Sequence, residues 1–132
     1  MKKKPKKKKL KTIGKLKAEA DRAVQDAYRR DNPGKKCEMC NKPYQVLHHF
    51  IFKSQSNYLR YEPRNYVFVC NGCHYKFHQP DPMIYIRLNK LRGQEWADWI
   101  EAHKRKLKSD KRQELIEIIE RHKTIKNPYE KQ

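Results

Sequence analysis

No stretch of this sequence approaches the ~18 apolar residues in a row that a membrane-spanning helix needs. The basic N-terminus also lacks the apolar core of a secretory signal. These absences lead us to expect a cytoplasmic protein with no membrane partner. Acid is scarce as well: fifteen Asp and Glu stand against thirty-three Lys and Arg, a formal charge of +18. Such an excess opposes compaction by self-repulsion and draws polyanions, so nucleic acid is the expected partner. Apolar residues make up only 36% of the chain, and so small a core commonly leans on a metal or disulfide staple. No cysteine is left over. Cys37, Cys40, Cys70 and Cys73 form two C-x-x-C pairs in a chain with no export signal, which reads as metal ligation rather than disulfides.

The charge is unevenly spread. Met1 to Lys17 carries ten lysines and no acidic residue, a block that repels itself and should be disordered when alone. We therefore divide the chain into a basic tail (1–17), a helix and turn (18–34), a cysteine-bracketed core (35–82) and C-terminal helices (83–132). The first helix should begin near Leu16, with Leu16, Ala20, Ala23, Val24 and Ala27 at helical spacing, and stop near Asp31 before Asn32-Pro33-Gly34. In the core, Tyr44–Phe52 and Tyr66–Val69 read as strands, with a long polar loop from Lys53 to Asn65 between them. A helix should run from Cys73 through His78. Further on, Ile84, Leu88 and Leu91 share one face. Trp96, Trp99, Ile100, His103 and Leu107 follow a helical stripe, as do Leu115, Ile118, Ile119 and His122 after a Ser109 or Asp110 cap. The expected class is α+β, mainly α, with two strands and a short helix enclosed by longer helices.

Two C-x-x-C pairs can place four thiolates tetrahedrally around one zinc ion, each pair gripping it from a tight turn. Four thiolates close the coordination sphere, so that zinc should hold structure. The 29 residues between Cys40 and Cys70 exceed what a plain zinc ribbon needs, and the insert is where chemistry should be sought. His48 and His49 end the first strand. His74 and His78 lie four apart on a helix, which puts both imidazoles on one face. Three imidazoles converging there would make an open metal site with positions left for water and a phosphate oxygen. Neighbours on a strand point to opposite sides, so one of the His48–His49 pair can ligate while the other serves as a general base near pH 7. The Asn65 amide is placed to pin the loop before the second strand.

With these residues the stretch Cys37–His78 resembles the HNH (ββα-metal) endonucleases, whose signature falls on His48-His49, Asn65 and His74. His74-x-x-x-His78 is similar to the helix of the colicin-type nucleases, in which both histidines bind the catalytic metal. The resemblance implies a zinc-stapled ββα-metal core, with His48, His74 and His78 as ligands of a catalytic divalent metal (Mg, Mn, Ni or Zn). It also implies that His49 is the general base and that Asn65 orients the loop carrying the base. The implied activity is hydrolysis of DNA phosphodiester bonds, leaving a 5′-phosphate and a 3′-hydroxyl. Lys53, Arg60 and Arg64 would hold backbone phosphates, which position DNA without reading its sequence. Over a longer span, Leu16 to about Lys123 looks like the phage NinG (Rap) recombination proteins, in the basic first helix, the two knuckles, the His49-Phe50-Ile51 segment and the run from Tyr85 to Gly93. That likeness implies a phage-encoded protein of recombination or DNA processing, from which this chain departs at His48 and His74.

Two rivals share the charge and the cysteines. A non-catalytic zinc-finger DNA-binding protein would have no need of His49. A zinc protein that binds RNA would use exposed aromatics for stacking on single strands, and Tyr58, Tyr61 and Tyr66 are the candidates.

Overall fold

The computed structural model describes residues 10–79 and 81–123. Helix α1 spans Ile13–Asp31, β1 Val46–His49, β2 Tyr66–Val69, α2 Asn71–Lys76, α3 Pro82–Arg92, α4 Gln94–His103 and α5 Arg112–Lys123. The protein is α+β and mainly helical, with one two-stranded antiparallel sheet. The basic tail ends sooner than its composition suggests. Thr12 caps α1, its hydroxyl accepting from the Lys15 amide at 3.1 Å, so Ile13–Lys17 are helical. Residues 1–9 of that tail lie outside the described residues.

The hairpin β1–β2 sits between two cores, and period-two alternation assigns its side chains. Leu47 and Tyr66 join Leu16, Ala20 and Val24 of α1 and Leu115, Ile118 and Ile119 of α5. Val67 and Val69 join Phe77, Ile84, Leu88, Trp96, Ala97 and Ile100 on the other side. The pairs Val46–Val69, Leu47–Phe68, His48–Val67 and His49–Tyr66 fix the register. Outside the ladder, Gln25 of α1 gives its amide to the Leu47 carbonyl and accepts the Leu47 amide, both at 2.9 Å. On the opposite edge Glu38 does the same for Phe68: its amide donates to the Phe68 carbonyl at 2.8 Å, and its carboxylate accepts the Phe68 amide at 2.9 Å.

Several boundaries differ from expectation for identifiable reasons. β1 is shorter than Tyr44–Phe52. The Tyr44 amide bonds the Lys35 carbonyl to close the first knuckle, and Ile51 is tied to Asn65 instead of to a strand. Helix α2 starts at Asn71 because the Cys70 thiol acts as its cap, and it ends at Lys76, leaving His78 in the following turn. Of the two residues expected to cap α5, Ser109 and Asp110, the second has its carboxylate on Lys17 at 2.9 Å and Asn57 at 3.5 Å. Leu91 and Leu107 are 56% and 95% exposed, so both apolar stripes end one residue early.

Candidate metal centre and histidine pocket

The first knuckle is a tight turn closed by the Cys37 amide on the Lys42 carbonyl (2.7 Å) and the Asn41 amide on the Cys37 carbonyl (3.0 Å). Asn41 adopts φ 68°, a left-handed conformation that Asn tolerates. The second knuckle is the start of α2. In both, a backbone amide points at the first sulfur: Met39 to Cys37 Sγ and Cys73 to Cys70 Sγ, each at 3.4 Å. That amide holds the Cys70 thiol down to about 7, with help from its thiol neighbours, while burial and those same neighbours push the Cys73 thiol up. The four Sγ atoms lie within 4.8 Å of one another, and Cys40 and Cys70 approach to 3.5 Å. Sulfurs placed ~2.3 Å from a tetrahedral zinc are about 3.8 Å apart, so the donor set fits that ion. Cys37, Cys40, Cys70 and Cys73 are positioned to hold a metal ion.

Glu38, inside the first knuckle, locks this centre to the fold. Its carboxylate pairs with the Arg92 guanidinium at 2.8 Å, both side chains being mostly buried. Arg92 also donates to the Tyr66 carbonyl at 2.7 Å. Sequence reasoning missed this pair, since a Glu inside C-x-x-C and an Arg at a helix end carry no joint signal.

Beside the second knuckle lies a pocket of about 280 Å³ lined by His48, His49, His74, His78, Phe52 and Lys53, with Ser54 at its edge. The expected histidines are thus brought together from β1, α2 and the turn after α2. The His48 and His74 rings are 5.4 Å apart, as are those of His74 and His78, and Phe52 packs against His48 and His78. Burial, reinforced by the neighbouring imidazoles, pushes His48 down to about 4. Burial lowers His74 too. Both present neutral imidazoles with free lone pairs near pH 7. Among the described residues the four thiols form the compact metal-ready set, and the three imidazoles are spaced more openly.

His49 turns the other way, edge-on to Tyr66 at 5.4 Å, and its Nε2 lies 2.9 Å from the Arg60 carbonyl. A carbonyl only accepts, so Nε2 carries the proton and Nδ1 keeps a lone pair. Burial lowers His49 to about 4, against the raising effect of that hydrogen bond. The loop that carries this carbonyl is held by Asn65, which is wholly buried. The Asn65 side chain accepts from the Ile51 amide (2.7 Å) and donates to the carbonyls of Ile51 (3.0 Å) and Leu59 (3.1 Å). One side chain therefore clips both ends of the loop that carries Arg60.

The expected phosphate contacts separate into three environments. Lys53 is on the rim of the histidine pocket, 3.6 Å from Asp21. Arg60 is not free to take a phosphate: its guanidinium is mostly buried against Asp21 of α1. Burial raises the Asp21 carboxyl, and the Arg60 hydrogen bond and charge outweigh that and hold it below its ordinary value. Arg64 is exposed and lies over Trp99. Of the aromatics considered for single-strand stacking, Tyr66 is buried, Tyr61 is half-buried and donates to the Lys17 carbonyl, and Tyr58 is half-buried against His103. No helix among the described residues is long and apolar enough to cross a membrane. No family model, curated protein or solved structure matches the chain.

Proposed function

We propose that this chain is a zinc-stapled, metal-dependent endonuclease that hydrolyses DNA phosphodiester bonds at an HNH-type ββα-metal centre. The observation that carries this reading is His49, oriented through Nε2 by the Arg60 carbonyl of a loop that Asn65 clips, at the pocket of His48, His74 and His78. Orientation through one ring nitrogen with the other left free is what a general base requires. The four cysteines would hold a zinc ion that ties the first knuckle to the start of α2, beside the pocket. His48, His74 and His78 are the residues that would hold the catalytic cation, which when bound supplies positive charge to the phosphate oxygens. Three imidazoles favour Mn²⁺, Ni²⁺ or Zn²⁺ over Mg²⁺.

His49 Nδ1 takes the proton from the water that attacks phosphorus. The low proton affinity of His49 comes from burial, and a phosphodiester brought alongside favours its protonated form, raising its strength as a base. Lys53 on the rim meets the phosphate charge. As the new P–O bond forms, the bond from phosphorus to the 3′-oxygen breaks and that oxygen takes a proton from solvent, leaving the DNA strand with a 5′-phosphate and a 3′-hydroxyl.

A binding-only zinc protein is the second reading, favoured by the open spacing of the three imidazoles. Nicking of supercoiled plasmid by wild type and His49→Ala, across several divalent metals and with DNA affinity measured in parallel, separates the two. The nuclease reading expects a loss of ~10²–10⁴-fold in rate with affinity unchanged. Equal cleavage by the two proteins removes His49 from the mechanism, and no cleavage by wild type with any metal leaves the binding-only protein.

A further inference from the structure

Away from the histidine pocket, five side chains from two separate segments stack in one column. The Arg64 guanidinium lies 4.3 Å over the Trp99 ring. Trp99 and His103 are 4.1 Å apart and 15° from parallel. His103 faces Tyr58 at 5.9 Å and 14°, and the Lys106 ammonium sits 4.6 Å over Tyr58. The order is cation, indole, imidazole, phenol, cation. Trp99 and His103 are one turn apart on α4, and His103 Nδ1 is fixed on the Trp99 carbonyl at 2.7 Å. Tyr58 and Arg64 come from the loop between the strands.

Holding α4 against this loop would need only the three rings. The two cations at the ends are exposed, and neither has a carboxylate partner among the described residues. Arg60, Arg92 and Lys108 each have one. A guanidinium held over an indole keeps N–H groups at its edge for an anion and loses little freedom when it binds a phosphate. The segment Tyr58–Arg64 also contains Arg60, whose carbonyl orients His49.

We propose that this column is a preorganised clamp for the phosphodiester backbone of DNA, in which Arg64 and Lys106 each take a phosphate on a rigid support of Trp99, His103 and Tyr58. It rests on the reading of this chain as a DNA-acting protein and not on cleavage. Because the support shares its loop with the Arg60 carbonyl, a strand held by the column is set in register with His49.

The test is equilibrium binding of a short labelled DNA duplex by the full-length, zinc-loaded protein with no catalytic metal added, over a range of salt. Arg64→Ala and Lys106→Ala should each weaken binding several-fold and each flatten the slope of log K against log[salt] by ~0.9, the value of one phosphate contact. Lys108→Ala, a lysine already paired with Glu114, should change both much less. Tyr58→Leu keeps both end charges and removes one ring, and should weaken binding through loss of support. Unchanged affinity and slope in the Arg64 and Lys106 variants overturns the clamp, as does an equal effect from Lys108→Ala. Altered slopes in a protein that never cuts DNA keep the clamp and sink the nuclease; cleavage with unaltered slopes does the reverse.

Discussion

Replacing Asn65 by Ala removes the clip on the loop between the strands, and its cost follows from the three bonds it makes. The Ile51 amide and the Ile51 and Leu59 carbonyls lose their partner at a wholly buried position. A buried backbone group left unpaired costs ~1–3 kcal/mol; with partial relaxation the sum is about 3–5 kcal/mol, a large part of the ~5–15 kcal/mol of a typical domain. At a urea slope of ~2 kcal/mol/M the midpoint should fall by about 2 M. Asn65→Asp is the sharper probe. It keeps the acceptor for Ile51 but turns a carboxylate on two carbonyls that need a donor. Such a carboxyl has a raised folded-state pKa, so the folded state binds the extra proton, and the deficit relative to wild type should grow as pH rises. The assay is urea unfolding of zinc-loaded protein at several pH values. An Asn65→Ala cost under about 1 kcal/mol, less than one unpaired group, or an Asp variant as stable as wild type at neutral pH, would refute the reasoning.

Cys70→Ser should abolish stoichiometric metal at the knuckles and unfold the centre, since structural metal binding is folding free energy; metal analysis with circular dichroism checks this, and a folded, metal-free variant counts against it. His74→Ala should weaken uptake of a second divalent ion titrated into zinc-loaded protein while His49→Ala leaves it unchanged, as read by calorimetry. His48 and His49 have folded-state values of about 4 against an ordinary 6.5, so the unfolded chain binds more protons between those limits. Stability should therefore be full above about pH 6.5 and fall toward pH 4, by on the order of 3 kcal/mol per imidazole, and His49→Asn should flatten that fall in denaturation curves taken across the window.

Features that are local in the chain are legible in the sequence. The cysteine spacing places four sulfurs together, the apolar run Tyr66–Val69 marks β2 to the residue, and His74 and His78 meet at 5.4 Å although His78 lies past the end of α2. Features decided by distant partners are not. Arg60 carries the same charge as Lys53, and only its burial against Asp21 of α1 sets the two apart. Trp99 and His103 follow the stripe of buried Trp96 and Ile100, yet they lie at its margin because Arg64 and Tyr58 cover their rings from a loop. The start of α2 lies earlier than the sequence suggests because a thiol takes the capping role that hydroxyls and carboxylates usually fill.

The side chains of Gln25 and Glu38 have a consequence for association between molecules. A two-stranded sheet has only edges, and each edge is a template on which a strand from another copy can grow. Here the outward amide and carbonyl of Leu47 are taken by Gln25 and those of Phe68 by Glu38, so that a helix and a knuckle each act as a false third strand. A protein that crowds onto a polyanion brings many copies of itself together, the condition under which open edges pair. With both edges stopped midway, crowding of the kind that the proposed DNA binding would bring leaves the hairpin unextended and the copies unfused.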